Sequence, residues 1–181
     1  MDSGFVSRPT LTPIFTGAAL ALACGALGLS TAHAQSAVPA ELTPAATTHV
    51  VAALKASGTQ IYVCTRDQNN QLSWTFKAPS AELYDASGQL VVRHGAGPSW
   101  EASDGSKITG KVLQQAPNTD QPGSIPLLLL QAINAGPPGW LASVRYVQRL
   151  DTRGGLAPSG PCSQDGQEGR SPYLAEYVFL E

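Results

Sequence analysis

The chain has 181 residues, with 11 basic against 13 acidic side chains and a formal net charge of −2, so it has no basic surplus to grip a phosphate backbone. Nucleic acid is therefore excluded as an expected partner. Charged residues make up only 13% of the chain, while Gly (18) and Pro (14) are abundant. This argues against long surface helices and coiled coils and favours many short strands joined by turns.

In chain order, the first feature is a stretch without formal charge between Arg8 and His33, with an almost wholly apolar run from Gly17 to Leu29. A bilayer-spanning helix needs ~20 apolar residues and a secretory signal core about 7–15, so the run suits a signal core. Ala32-His33-Ala34 then places small residues at the positions a signal peptidase reads. Residues 1–34 are read as a cleaved signal peptide, with Gln35 the first mature residue and no transmembrane segment in the mature chain. The expected location is exported, periplasmic or extracellular. Cys24 keeps one rival open, a lipoprotein signal in which that cysteine is acylated instead of removed. Against it, no Leu stands three positions before Cys24, and apolar sequence continues beyond.

Removing 34 of 181 residues leaves 147, the size of one ordinary domain, and leaves Cys64 and Cys162 as its cysteines. An even pair in an exported protein implies a disulfide. Residues 35–46 are small and Pro-punctuated, which reads as a flexible leader. Strand signals follow. Thr59 to Cys64 is β-branched and aromatic, Leu72 to Phe76 alternates, and Asp67 to Asn70 between them is a turn, so the pair predicts a hairpin with Trp74 in the core. Glu82–Asp85 and Gln89–Val92 flank a second turn. Asp104-Gly105-Ser106 leads into a strand over Ile108–Gln115. Ile125 to Leu130, with four consecutive leucines, predicts a strand buried on both faces. A strand over Leu141–Leu150, a loop over Gly154–Pro172 carrying Cys162, and a last strand over Tyr173–Leu180 complete the chain. The expected fold is all-β: one antiparallel β-sandwich or barrel-like domain over residues 47–181, with about nine or ten strands.

The ordered segments carry a resemblance. They are Gly58 to Cys64, Trp74 to Pro79 with Ala81 to Asp85, His94 with Gly97-Pro98-Ser99-Trp100-Glu101, Asp104-Gly105-Ser106, Ile125 to Leu129, Gly154 to Pro158 with Cys162, and Tyr173 to Phe179. Over roughly residues 47–181 the chain resembles a family of exported bacterial and fungal proteins classed as a domain of unknown function, number 3455. The resemblance implies a secreted, single-domain, mostly β protein and no established activity. Some relatives carry enzyme names such as malate dehydrogenase. This sequence lacks the Gly-x-Gly-x-x-Gly turn and βαβ pattern that a dinucleotide site requires.

The densest polar cluster is His94, Trp100, Glu101 and Asp104, with Asp85 one hairpin earlier. An imidazole with carboxylates can ligate a divalent metal or act as an acid and base pair. The plainer reading makes Asp104 a turn residue, Trp100 a core plug and Glu101 a solvated charge. Gly154-Gly155 is a candidate anion cradle or simply a turn. Arg145 and Arg149, with Arg153 beyond, are a candidate acidic-ligand site or a solvated strand face. Trp140, Tyr173 and Tyr177 are candidates to line a ring- or sugar-binding groove, or are buried strand aromatics. No nucleophile elbow, zinc-protease, Cys-x-x-Cys or phosphate-loop motif is present, and no cofactor is expected. The expected function is binding or structural rather than catalytic, with a small molecule, glycan or envelope component as partner. The alternative is a secreted enzyme or metal-binding protein using His94 with Glu101 or Asp104.

Overall fold

The computed structural model describes residues 1, 2, 4 and 37–181. By its contacts the chain divides into two units, Met1–Ala34 and Gln35–Glu181. Of the expected export signal only residues 1, 2 and 4 are described, and Cys24 lies outside the described residues.

Eight antiparallel strands form one sheet that meanders in sequence order and closes on itself into a barrel. They are β1 (Val50–Arg66), β2 (Leu72–Tyr84), β3 (Leu90–Gly95), β4 (Ser99–Ala102), β5 (Lys107–Ala116), β6 (Leu127–Asn134), β7 (Tyr146–Gly154) and β8 (Glu168–Leu180). Closure comes from β1 against β8, from Val50 opposite Leu180 to Val63 opposite Glu168. The all-β expectation is met and the architecture is a barrel, with eight strands where nine or ten were expected. A closed barrel leaves no sheet edge to template aggregation.

Alternation turns one face of each strand inward. Leu54 and Ala56 from β1 meet Leu83, Val92, Trp100, Ile108, Leu130 and Val147 from the other strands, and Tyr173, Tyr177 and Phe179 from β8, while Gln60 and Tyr62 are buried further along β1 at the same parity. A register slip of one residue would turn this set out to solvent, so the pattern itself specifies the pairing. A second, smaller cluster lies on the outside of the wall, where Leu42, Ala116, Leu129, Leu150, Val178 and Leu180 pack together. This explains the leucine run, whose Leu130 faces the barrel interior while Leu129 faces that outer cluster.

Several segments differ from expectation. The leader read as flexible forms a 3-10 turn at Ala40–Leu42, with Leu42 fully buried and its carbonyl accepting from Gln148 Nε2 at 2.7 Å. An outer apolar stripe on β6–β8 needs a cover, and Leu42 supplies it. The strand expected from Leu141 begins only at Tyr146, because Trp140–Ser143 form a second 3-10 turn whose buried Leu141 joins the interior cluster at one end of the barrel. The expected loop before Tyr173 gives way to strand at Glu168, since β8 must reach Val63 to close the barrel. Trp74 is half-buried rather than in the core, with Nε1 donating to the Gly160 carbonyl at 2.8 Å.

The disulfide between Cys64 and Cys162 is present, with Cα atoms 5.8 Å apart. It joins the end of β1 to the loop after β7. Among the described residues, no helix is long and apolar enough to cross a membrane.

Candidate functional site

The two ends of the barrel differ. At the end where β4 runs into β5, the Asp104 carboxylate accepts from Ser106 N (2.9 Å), Ser106 Oγ (2.6 Å) and Trp140 N (3.0 Å). These bonds, the Ser106 hydroxyl first, hold its pKa below the usual carboxylate value. Ser106 Oγ in turn accepts from Leu141 N at 3.3 Å. Asp104 therefore anchors the turn that floors the barrel.

At the other end the barrel opens into a cavity of about 290 Å³. That is near the lower limit of the ~300–1,000 Å³ typical of small-molecule sites. Phe76, Pro79, Pro98, Val112, Leu128 and Leu130 supply apolar walls, and His94, Trp100 and Tyr177 an aromatic one. The polar lining is Gln60, Lys77 and Arg149, and no acidic residue lines the cavity.

Local sequence builds this wall. His94 (β3) and Trp100 (β4) are ladder partners across a tight turn, so their rings stack with centroids 4.6 Å apart and planes 11° from parallel. Tyr177 closes on both, at 5.1 and 5.9 Å. Gly110 makes room for the indole: a Cβ there would stand 2.8 Å from the Trp100 ring and 3.0 Å from Leu130. Phe76 meets Tyr62 edge-on at 5.8 Å because the strand pairing shifts at Lys77, between the Ile61 and Tyr62 partners.

Electrostatically the cavity is short of partners. Lys77 is neutralised by Glu168 outside. Arg149 donates from Nε and Nη2 to the Pro126 carbonyl, at 3.2 and 2.8 Å, and has no ion-pair partner among the described residues. The Trp100 Nε1 and Gln60 Nε2 atoms are buried with no hydrogen-bond partner. Gln60 lies close enough to the Tyr173 hydroxyl to favour its phenolate weakly, without closing a hydrogen bond from Nε2. Such orphans are rare, because an unsatisfied buried donor costs about 1–3 kcal/mol.

His94 sits at 5% exposure. Burial, and secondarily the Arg149 charge, lower its pKa to about 4, against the opposing pull of the Ser99 carbonyl. The ring is neutral at physiological pH, and the 2.8 Å contact of Nδ1 with that carbonyl makes Nδ1 the donor and leaves Nε2 as an acceptor. Burial also raises the phenol pKa values of Tyr177 and Tyr173, whose hydroxyls are 3.2 Å apart.

His94, Glu101 and Asp104 do not share a centre. His94 points into the barrel, Glu101 is exposed and paired with Lys107 at 3.3 Å, and Asp104 is spent at the floor. Alternation puts His94 and Glu101 on opposite faces of the wall. Among the described residues no group of three His, Cys, Asp or Glu is placed to hold a metal. Asp85 closes the β2–β3 turn, accepting from Ser87 and Gln89. The N–H groups of Gly154 and Gly155 are spent on Ser124 Oγ and the Pro172 carbonyl, and both glycines have positive φ, so the pair is a turn and not an anion cradle. Of the aromatic trio, Tyr177 lines the cavity, Tyr173 lies behind it, and Trp140 packs on Phe179 by the floor. Arg145 and Arg153 are exposed, whereas Arg149 faces the cavity. Among the described residues, no Ser, Cys, Asp or Glu lines the cavity beside the imidazole.

An eight-stranded up-and-down barrel, floored at one end and open to an apolar cavity at the other, defines the structural class. A family model described as "Protein of unknown function (DUF3455)" matches residues 44–181, and the chain belongs to that family. No curated protein and no solved structure matches the chain.

Proposed function

We propose that this is an exported, non-catalytic binding protein that holds one small, mostly apolar molecule in the mouth of the barrel. The observation that carries this reading is the cavity itself, walled by Phe76, Leu128, Leu130, Trp100 and Tyr177 and set on rigid strands. A fluorescence titration with the neutral probe N-phenyl-1-naphthylamine tests it. Saturable one-to-one binding is expected in the wild type and its loss in Val112→Trp, a rim position 47% exposed in the native barrel and so able to take a larger side chain. Binding that survives this substitution would place the probe elsewhere and remove the reading.

Export is supported by the apolar run of Gly17–Leu29 and by the Cys64–Cys162 disulfide, which belongs in an oxidising compartment. Amino-terminal sequencing of the mature protein is the corresponding check, with Gln35 the expected first residue.

A further inference from the structure

An apolar binding cavity that carries one cation without an ion-pair partner is built for more than hydrophobic contact. Water solvates that cation in an empty mouth, but a wholly apolar ligand that displaces the water would leave its charge without a partner. A ligand that brings an anionic acceptor is therefore favoured over one that is wholly apolar. Gln60 and Trp100 are 2% and 1% exposed, and neither donor atom finds a partner within the protein. Arg149 spends two of its N–H groups on one carbonyl, which fixes the guanidinium plane, and a guanidinium has five to give. With Lys77 neutralised by Glu168 and no acid in the lining, Arg149 is, among the described residues, the charge that faces the space uncompensated.

We propose, on the basis of the binding reading above, that the ligand is a small carboxylic acid with an apolar or aromatic body. Its carboxylate lies on the Arg149 guanidinium. The apolar body takes the Phe76, Val112 and Leu128 side of the mouth. A monoanion fits because a single guanidinium matches a single charge; a phosphate dianion would keep one negative charge uncompensated against an apolar wall. The planar fork of Arg149 suits a carboxylate in a way that a lysine ammonium would not.

Calorimetric titration of the full chain with 4-phenylbutyrate and octanoate, each beside its own primary amide, tests the inference. Hydrogen bonds to a charged group are worth ~1.5–3 kcal/mol, so each acid is expected to bind at least about tenfold more tightly than its amide. That preference should weaken with rising salt, shrink to less than about twofold in Arg149→Met and persist in part in Arg149→Lys. Arg149→Lys keeps the test decisive should Arg149→Met fold poorly. Amides that bind as tightly as acids would overturn the carboxylate inference and leave the binding cavity standing. Failure of all four compounds to bind while N-phenyl-1-naphthylamine still binds would overturn the carboxylate inference alone, and failure of the probe as well would overturn both.

Discussion

The mouth and the floor of this barrel are made from the same sheet, yet they treat polar groups in opposite ways. At the floor, the Asp104 carboxylate and the Ser106 hydroxyl are committed to the backbone and side chains of their own turns, and Leu141 fills the end without exposure. At the mouth, Trp100 Nε1 and Gln60 Nε2 are buried and unpartnered, and Arg149 faces a cavity free of acids. A wholly structural barrel has no reason to treat its ends differently. Functional sites are where local rules of satisfaction fail, and the mouth is where they fail in this barrel.

The largest expected effect concerns what holds the mouth in place. The disulfide ties the loop after β7 to the end of β1 across a sequence separation of 98 residues. In the chain-entropy model, a loop of this size contributes about 4–5 kcal/mol. Cys64→Ala with Cys162→Ala should lower stability by that order in urea denaturation and weaken cavity binding together. A double variant as stable as the wild type would show that the mouth does not depend on the staple.

Leu141→Ala probes the other end. Emptying a fully buried leucine site costs about 2–5 kcal/mol, and the loss should appear in thermal unfolding with ligand affinity unchanged. If affinity falls with stability, the two ends are coupled and the contrast between them is false.

The smallest effect separates the ends by pH. The folded pKa of His94 is depressed from 6.5 to about 4 by burial in the mouth wall. Above pH 6.5 neither the folded nor the unfolded state holds this proton, so stability does not depend on it. Between pH 6.5 and 4 the unfolded state binds the proton and the folded state resists, and stability falls as pH falls by about 3 kcal/mol in all. Below the folded pKa both states are protonated and the loss is complete. Urea denaturation across this window should show the slope in the wild type and lose it in His94→Phe. Asp104 at the floor has a lowered pKa and so its contribution is lost only at more acidic pH. An unchanged slope in His94→Phe would place the sensitive group outside the mouth.

Much of the barrel can be read from the chain before folding is considered. Alternation in Leu72–Phe76 and Tyr173–Leu180, turn residues at Asp67–Asn70 and Asp104–Ser106, and the cysteine pair depend on near neighbours or simple counting. They lead to the all-β class, the closing turns and the disulfide. The expected polar cluster misleads because His94, Glu101 and Asp104 are close in sequence, whereas alternation sends the first two to opposite faces and the third to the floor. Two signals for the cavity were present. Gln60 stands at the same parity as Tyr62 and Cys64, and Arg149 at the same parity as Val147, so each is a polar residue on an inward-facing position.

The sequence by itself determines the strands, the turns, the paired cysteines and an apolar start suited to export, because each arises from periodicity, backbone preference or composition. Only the tertiary structure decides that the sheet closes, that one end is floored by Leu141, and that Gln60, Trp100 and Arg149 face one cavity. Those residues come from β1, β4 and β7, and it is closure of β1 on β8 that sets them around a single space. Local pattern shows which way a side chain points from its own strand, and the closed barrel decides what it points toward.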